Sequence, residues 1–428
     1  MRRPAREATP AVPAVPASPV TEVEPETPID EASAGEASDG GASDGGASDG
    51  EAAVAEGEPP KPPATSRSAL WARVCVAVGA VLVLLSAGTV AAFTYLTHRY
   101  ERAVARDELL APGSRDDSGA NAGRTISGPL NYLLIGSDFK ARSPGEGQRS
   151  DTIIIVHIPA TLDRAYLISV PRDLRVEIPS YAPTGFRGDE TKINAAFQYG
   201  GGGRGGAQLL SKTLTSLMGI KFNGAAIINF DGFKKAVDVL GGVQMCVEQE
   251  VSSNHMGYDK FGNLLELYAD EEGRIQGLPE GGHAVVYEPG CRKMPGALAL
   301  DYSRIRYGLP NGDYDRQRNQ QQFLRSVLTE GLRQGVVTNP VKFDGFLRAV
   351  GSALTVDTGG DSLTDLIFTL RNISPSTLTG LTIPSYPDMI GGVSYVLPDA
   401  LATSLYKAVQ EDSLDTWAVE NPSWVNHL

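Results

Sequence analysis

The stretch Asn131-Tyr-Leu-Leu-Ile-Gly-Ser-Asp138 is an apolar run that ends in turn-forming and acidic residues. Its β-branched and aromatic content is typical of a strand. Two further apolar runs follow at residues 152–158 and 165–170, and the short connection at residues 159–163 predicts that they form a hairpin. If the three strands run up, down and up, the end of the first, the start of the second and the end of the third meet at one edge of a sheet.

Charged residues would be concentrated at that edge. Asp138 ends the first run, and Arg149 and Asp151 stand at the start of the second. Arg172 and Asp173 follow the third run. Two carboxylates beside guanidinium groups suit a divalent cation that bridges a polyphosphate. Asp138 and Asp151 are therefore candidate metal ligands, although aspartates at such positions also cap turns, and any single arginine here can simply be solvated.

A long helix, predicted over residues 315–333, adds polar groups to this site. Arg316, Gln320, Phe323 and Val327 fall on one helical face, at spacings of i, i+4, i+7 and i+11. Because the later turns of that face are apolar, the first turns should also direct Arg316 and Gln320 inward. A buried arginine requires an anionic partner, and a phosphate group would serve.

Two more arginines precede this helix. Arg304 and Arg306 are two residues apart and would point the same way in an extended chain. Together with Arg316 they predict phosphate binding. The alternative is a structural ion-pair network of these arginines with Asp313 and Asp315.

The remaining elements alternate between strands and helices, which predicts an α/β fold with helices covering a central sheet. Asp231 is a candidate N-cap, the glycine-rich residues 200–206 are interpreted as a flexible loop, and residues 248–290 as an irregular insertion. His157 lies inside an apolar strand and is interpreted as a packed residue. The other predicted elements are helices at residues 207–218, 232–240 and 294–302 and strands at residues 225–230 and 243–247.

The N-terminal region has the composition of a tail and a membrane anchor. Residues 1–68 contain 13 acidic and 5 basic residues and few large apolar side chains, so they are predicted to be disordered. Residues 69–97 are predicted to form one transmembrane helix, because residues 74–97 carry no charge and would span roughly 36 Å. Basic residues flank both ends of this segment, so charge does not decide its orientation. The formal net charge of −13 disfavours non-specific nucleic-acid binding.

Cysteine usage leaves two alternatives. Cys246 and Cys291 are the only cysteines after the predicted membrane segment. They could form a disulfide in an oxidising compartment or remain two buried thiols, and spacing does not choose between these.

The charged residues belong to a set of motifs that resembles the LytR–CpsA–Psr (LCP) family of cell-wall glycopolymer phosphotransferases. The resemblance covers most of residues 128–335, in order. The matching stretches are residues 131–138, Arg149-Ser-Asp-Thr152, Ile168-Ser-Val-Pro-Arg-Asp173, Lys192-Ile-Asn-Ala-Ala-Phe197, Asn229-Phe-Asp-Gly-Phe233, Leu240-Gly-Gly-Val243, Asp301-Tyr-Ser-Arg-Ile-Arg306, Gly312-Asp-Tyr-Asp-Arg316 and Gln320-Gln-Gln-Phe323.

The resemblance implies a three-layer α-β-α sandwich with a mixed central sheet and an apolar tunnel for a polyprenyl chain. It implies Mg²⁺ (or Mn²⁺) held by Asp138 and Asp151 at the tunnel mouth. The residues that would contact phosphates or support them are Arg149, Arg172, Lys192, Asn194, Arg304, Arg306, Arg316 and Gln320. The expected organisation is a cytoplasmic tail at residues 1–68, the membrane helix at 69–97, a stalk at 98–127, an extracellular catalytic domain at 128–412 and a C-terminal tail at 413–428.

The resulting functional hypothesis is transfer of a glycopolymer phosphate, such as teichoic acid or an arabinogalactan-type polymer, from a polyprenyl-pyrophosphate carrier to a peptidoglycan hydroxyl. The expected catalytic groups are Arg172, Arg304, Arg306 and Arg316, with Asp173 or a carboxylate near the metal as the proton acceptor. Two alternatives remain open: hydrolysis of the prenyl pyrophosphate at the same site, and a lipid-binding regulator of the cell envelope without catalytic activity.

Overall fold

The computed structural model describes residues 104–116, 126–137, 150–270, 273–336, 339–426 and 428. The predicted disordered tail, the predicted membrane helix, and Asp138 and Arg149 lie outside these residues. Within the described ranges, no helix combines the length and apolar character that crossing a membrane requires.

The strands are labelled in chain order. They are β1 (Ala105–Arg106), β2 (Leu130–Ser137), β3 (Ser150–Ile158), β4 (Ala165–Ser169), β5 (Arg175–Ile178), β6 (Asp189–Lys192), β7 (Gly224–Asn229), β8 (Val243–Val247), β9 (Val251–Tyr258), β10 (Leu264–Glu266), β11 (Tyr268–Ala269), β12 (Ile275–Gln276), β13 (His283–Tyr287), β14 (Gly290–Met294), β15 (Leu354–Asp357), β16 (Leu378–Thr382), β17 (Ser385–Ile390), β18 (Val393–Pro398) and β19 (Val425–Asn426).

The helices are labelled in the same way. They are α1 (Asn194–Tyr199), α2 (Gly203–Met218), α3 (Phe230–Val239), α4 (Gly296–Arg304), α5 (Asp313–Arg333), α6 (Pro340–Val350), α7 (Leu363–Thr369), α8 (Ala400–Gln410) and α9 (Leu414–Glu420).

A large mixed sheet of order β1-β15-β7-β2-β3-β4-β16-β19 lies at the centre of the fold. β3 is antiparallel to both β2 and β4, which confirms the predicted up-down-up arrangement. β2 is parallel to β7, and β4 is parallel to β16. The register between β2 and β3 shifts after Gly136, where an added Cβ would lie 2.9 Å from Cβ of Thr152. Only glycine fits there without displacing β3.

One face of this sheet packs against helices and forms an apolar core. Leu133 and Ile135 of β2 are fully buried, in the same apolar cluster as Leu210 of α2 and Leu405 of α8. Burying each such side chain stabilises the fold by roughly 1.5–3 kcal/mol, so this face holds the sheet and these helices together.

The opposite face of the sheet is not closed. Leu134 and Ile228 each follow a buried residue on their strand, so their side chains point to the opposite face. Both are partly exposed there and line a cavity of about 1000 Å³. Phe233 of α3, Leu300 of α4 and Phe323 of α5 form other walls of this cavity. The site therefore lies between the sheet and a set of helices.

A second apolar cluster supports those helices. Val237 of α3, Tyr302 of α4 and Phe323 of α5 pack with Met245 of β8 and Val285 of β13. This cluster therefore anchors the helices whose other side chains line the cavity.

Three expectations need correction. Residues 248–290 contain β9 to β13 and are not irregular. The helix at residues 230–239 is capped by Asn229, whose side chain accepts a hydrogen bond from the Gly232 N–H, so Asp231 is not the N-cap. The glycine-rich stretch is helical from Gly203 onward.

Residues 413–428 are predicted to be a C-terminal tail. In the structure they are part of the folded unit. Leu414 and Trp417 of α9 are buried in the main core. β19 pairs antiparallel with β16 at the edge of the central sheet.

Candidate active site

Arg172 and Asp151 meet at the sheet edge that the strand pattern predicted. Nη1 of Arg172 donates a hydrogen bond of 2.7 Å to Oδ1 of Asp151. Burial opposes the charge of Arg172, but nearby carboxylates, Asp151 first among them, outweigh it and raise the pKa of the guanidinium. Among the described residues, the buried Nε of Arg172 has no hydrogen-bond partner.

A second group of predicted residues lies behind Arg172. Oδ1 of Asp173 is 3.0 Å from Nζ of Lys192, and its other oxygen is 3.8 Å from Nε of Arg172. Asn194 is buried at the start of α1, and its N–H donates to the carbonyl of Arg172. Asp173, Lys192 and Asn194 thus support Arg172 but do not line the cavity.

Arg316 is the most deeply buried arginine of the site, with 5% of its surface exposed. It forms an ion pair with Asp313, one turn earlier on α5. Burial lowers the pKa of Arg316; Asp313 opposes this shift, whereas the positive charges of Arg172 and Arg306 add to it. Three guanidinium groups are therefore close enough to repel one another, and a bound anion would relieve that repulsion.

Arg304 and Arg306 also line the cavity, but not as one extended strand. Arg304 is the last residue of α4 and lies over the ring of Phe230, with 4.2 Å from Cζ to the ring centre. Arg306 follows an extended residue, and its Nη2 donates to the hydroxyl of Tyr307 at 2.6 Å. The end of α4, rather than an extended chain, brings the two side chains to one site.

The alternative prediction, an ion-pair network of the arginines with Asp313 and Asp315, is confirmed only in part. Arg316 does pair with Asp313, but Asp315 pairs with Arg318 at 3.1 Å, outside the cavity lining. The described residues from the predicted site that line the cavity are Asp151, Arg172, Arg304, Arg306, Arg316 and Gln320.

Much of the rest of the cavity wall is apolar. Leu134 and Ile154 come from the sheet, Leu300 from α4, and Phe323 and Leu324 from α5. Arg316, Gln320 and Phe323 of the predicted helical face line the cavity together, whereas Val327 packs against the second apolar cluster. An elongated amphiphile with an anionic head would match such a cavity, because charge and apolar surface share one enclosure.

Asp151 is the one predicted metal ligand within the described residues. Its carboxylate lines the cavity beside Arg172, and an oxygen ligand of this kind suits Mg²⁺. Within the ranges that the structure describes, no group of three or more His, Cys, Asp or Glu side chains is arranged to hold a metal. The second predicted ligand, Asp138, lies outside those ranges.

Sequence reasoning missed several polar residues of the cavity. Asn254 and His255 of β9 and Asp301 of α4 line it. Burial lowers the pKa of His255 to about 4, and the charge of Arg304 acts in the same direction. Asn254 and His255 lie in the segment interpreted as irregular, where no sequence signal marked them. Asp301 was noted only as the first residue of the motif that ends in Arg304 and Arg306.

Two predictions outside the cavity can be settled. Cys246 and Cys291 form a disulfide between the paired strands β8 and β14. His157 is fully buried, with one ring nitrogen 2.8 Å from Oδ1 of Asn131 and the other 2.9 Å from Oδ1 of Asp412. This confirms its interpretation as a packed residue.

Comparison with known proteins identifies relatives. The probable cell wall biosynthesis protein LcpB of Corynebacterium glutamicum is 28% identical over 298 residues, which cover 65% of this chain and 61% of that protein. The polyisoprenyl-teichoic acid–peptidoglycan teichoic acid transferase TagU of Enterococcus faecalis is 27% identical over 244 residues, which cover 57% of this chain and 66% of that protein. The chain thus spans somewhat less than two thirds of the length of these curated relatives.

Structural and family comparisons agree. The crystal structure of a Streptococcus agalactiae protein superimposes with a TM-score of 0.53 at 23% identity, covering 66% of this chain and 87% of that chain, which is a likeness of fold. The sequence profile of the LytR_cpsA_psr family matches residues 93–411. Because this match includes the arginine-lined cavity and most of the central sheet, the chain belongs to the LytR_cpsA_psr family.

Proposed function

We propose that this protein is a membrane-anchored phosphotransferase of the LCP type, built as a three-layer α-β-α sandwich. It would move a glycopolymer phosphate from a polyprenyl-pyrophosphate carrier to a hydroxyl of peptidoglycan. One observation carries the proposal: Arg172, Arg304, Arg306 and Arg316 line the same cavity as a large set of apolar side chains. TagU, a relative, is named as a transferase of this kind.

The arginines would bind the pyrophosphate. Arg172 and Arg316 each have a buried Nε without a hydrogen-bond partner among the described residues. Guanidinium groups match phosphate oxygens well, and charge-assisted hydrogen bonds of this type are about twice as strong as neutral ones. The mutual repulsion of Arg172, Arg306 and Arg316 would be offset by a group of two or more negative charges.

The apolar wall would hold the prenyl chain. Leu134, Ile228 and Phe233 are partly exposed and line the cavity. Removing this apolar surface from water by a hydrocarbon chain contributes roughly 25 cal/mol per Å². The chain and the headgroup would thus bind as one ligand.

In the proposed reaction, the acceptor hydroxyl oxygen attacks the phosphorus atom that carries the glycopolymer. A new phosphorus–oxygen bond forms, the bond from that phosphorus to the bridging oxygen breaks, and prenyl phosphate leaves with the electron pair. The hydroxyl proton passes to a carboxylate. Asp151 supports this role better than Asp173, because Asp151 lines the cavity while Asp173 is held by Lys192 behind it.

The arginines would stabilise the transition state electrostatically. Negative charge grows on the bridging oxygen as the bond to it breaks, and preorganised guanidinium groups lower the energy of that charge. Mg²⁺ (or Mn²⁺), held by Asp151 and Asp138, would supply further neutralisation of the pyrophosphate when bound.

We also propose that the folded domain lies outside the cell membrane, with the N-terminus in the cytoplasm and residues 69–97 as the anchor. The disulfide between Cys246 and Cys291 supports this orientation, because disulfides persist in oxidising compartments and are rare in the cytosol.

The experiment is a transfer assay with the full chain in lipid nanodiscs, a short-chain prenyl-pyrophosphate glycan donor and a peptidoglycan oligomer, analysed by mass spectrometry. We expect a glycan–phosphate–peptidoglycan product that requires the acceptor. Release of glycan phosphate at the same rate without the acceptor would instead identify hydrolysis. Tight donor binding without turnover, both with and without the acceptor, would instead identify a non-catalytic regulator.

A further inference from the structure

Strand β9 is interrupted where it borders the cavity. It pairs with β13 through Ser252 opposite Val286 and Gly257 opposite Ala284, so residues 253–256 all face the single residue Val285. Bulges of this kind are frequent beside active sites, where they redirect side chains.

Hydrogen bonds to one serine hold the bulge in place. Oγ of Ser253 accepts from the N–H groups of His255 at 2.9 Å and of Met256 at 2.8 Å. It donates to Oδ1 of Asp301 at 2.9 Å, and Oδ2 of Asp301 accepts from the hydroxyl of Tyr287 at 2.6 Å. Because Asp301 belongs to the helix that ends in Arg304, the bulge is tied to the element that positions a cavity arginine.

The bulge places unpaired polar groups at the cavity. Asn254 lines the cavity, is only 6% exposed, and neither its amide nitrogen nor its amide oxygen has a hydrogen-bond partner within the described residues. Nδ1 of His255, the next residue along the wall, is also buried and has no hydrogen-bond partner in the part of the chain that the structure describes. Buried polar groups are nearly always hydrogen-bonded, so unpaired ones beside a cavity indicate a ligand that supplies the missing bonds.

The chemistry of these groups differs from that of the arginines. A guanidinium offers donors only, which suits phosphate, whereas the amide of Asn254 offers both a donor and an acceptor. His255, whose imidazole is neutral at neutral pH because burial lowers its pKa, also offers both. Hydroxyl and acetamido substituents of a sugar need such mixed partners. His255 lines the same cavity as Arg304, Arg306 and Asp151, which form part of the proposed phosphate site.

We propose that Asn254 and His255 form a neutral subsite for the first sugar of the donor, the hexose that is joined directly to the pyrophosphate. This inference rests on the proposed function and deepens it, because it assigns recognition of the donor glycan to the bulge in β9.

The test compares three ligands with the full-length protein in nanodiscs: farnesyl pyrophosphate, farnesyl-pyrophosphoryl-glucose and farnesyl-pyrophosphoryl-N-acetylglucosamine. We expect the unmodified protein to bind at least one sugar-bearing ligand about tenfold more tightly than farnesyl pyrophosphate. Asn254→Leu and His255→Phe should each lose most of that gain while they bind farnesyl pyrophosphate as before. His283→Phe, a change at an exposed histidine of the adjacent strand β13, is the matched control and should retain the gain.

Thermal unfolding without ligand separates a binding role from a structural one. Because the amide of Asn254 has no partner, Asn254→Leu should leave the melting temperature unchanged or raise it. A lower melting temperature together with weaker binding of all three ligands would show that Asn254 is structural and would overturn the inference. Equal binding of the three ligands by the unmodified protein would also overturn it, without affecting the proposed pyrophosphate site. Failure of all three to bind would reject both proposals.

Discussion

Arg172 and Asp151, 21 residues apart in the chain, are joined by a hydrogen bond of 2.7 Å at the edge of the central sheet. The two residues meet because β3 and β4 are antiparallel neighbours, so the start of β3 lies beside the end of β4. The bond fixes the guanidinium at the cavity, and within the described residues Nε of Arg172 makes no hydrogen bond. The other cavity arginines come from α4 and α5, so three separate parts of the chain supply the proposed phosphate site.

Loss of Arg316 should abolish transfer. We expect Arg316→Met to lower kcat by about 100-fold or more, because a buried group that stabilises developing charge is removed. Arg333→Met, on the same helix but outside the cavity, is the matched control. The measurement is product formation in the nanodisc assay, with circular dichroism to verify folding. Retention of near-normal kcat by folded Arg316→Met would reject the role of this arginine.

Activity should depend on a divalent cation and on Asp151. Chelation with EDTA should stop transfer, and Mg²⁺ should restore it. In Asp151→Asn, kcat at saturating Mg²⁺ should fall, because the proposed proton acceptor is lost. The Mg²⁺ concentration for half-maximal rate should also rise by roughly tenfold or more, because a charged ligand is lost. Asp163→Asn, which changes an exposed aspartate paired with Arg164, should behave as the unmodified protein. Full transfer in EDTA would contradict the metal proposal.

The disulfide should stabilise the domain. Cys246 and Cys291 are separated by 45 residues, and closing a loop of this size removes enough entropy from the unfolded chain to give about 2–4 kcal/mol. Reduction, or a double change to serine, should therefore lower the free energy of unfolding by this amount in urea titrations. An identical urea midpoint for the oxidised and reduced protein would show that the bridge contributes nothing.

Gln321 should be essential to the sheet. It is fully buried on α5, and its Nε2 donates to the carbonyls of Leu167 on β4 and Leu381 on β16. Its Oε1 accepts from Asn426 of β19 at 2.8 Å. Gln321→Leu leaves these groups unpaired and should cost roughly 2–4 kcal/mol of stability. The exposed change Gln244→Leu should cost little, and equal urea midpoints for the two variants would contradict this assignment.

Acidification should destabilise the ligand-free protein through His157 and His255. Burial lowers the pKa of both residues in the folded state, to about 4 for His255. The unfolded chain therefore binds protons first, and stability is lost as the pH falls below the ordinary histidine value of 6.5. Each histidine contributes at most about 1.4 kcal/mol per pH unit. Unfolding curves at pH 7, 6 and 5 should show a smaller loss in His255→Phe, and equal losses would contradict its buried, neutral state.

The local parts of the site were predictable from the sequence. The strand ends that unite Asp151 with Arg172 follow from hairpin connectivity, and the inward face of Arg316 and Gln320 follows from helical periodicity. These relations depend on residues that are close in the chain or share one element.

Relations between distant elements were not predictable. Arg304 reaches the site because α4 ends there, which depends on the packing of α4 with α3 and α5. The bulge that presents Asn254 is fixed by Asp301, 48 residues from Ser253, and no local pattern marks such a contact. The pairing of β19 with β16 likewise depends on tertiary contacts, because residues 425 and 426 are too few to show a strand period.

The central claim is that one cavity binds a prenyl chain and a pyrophosphate together. Calorimetric titration of the full-length protein in nanodiscs with farnesyl pyrophosphate, inorganic pyrophosphate and farnesol tests this most directly. The account predicts that farnesyl pyrophosphate binds at least about 100-fold more tightly than either fragment, and that Arg316→Met removes most of this advantage. Equal affinity for inorganic pyrophosphate and farnesyl pyrophosphate would show that the apolar wall binds no chain, and would contradict the account.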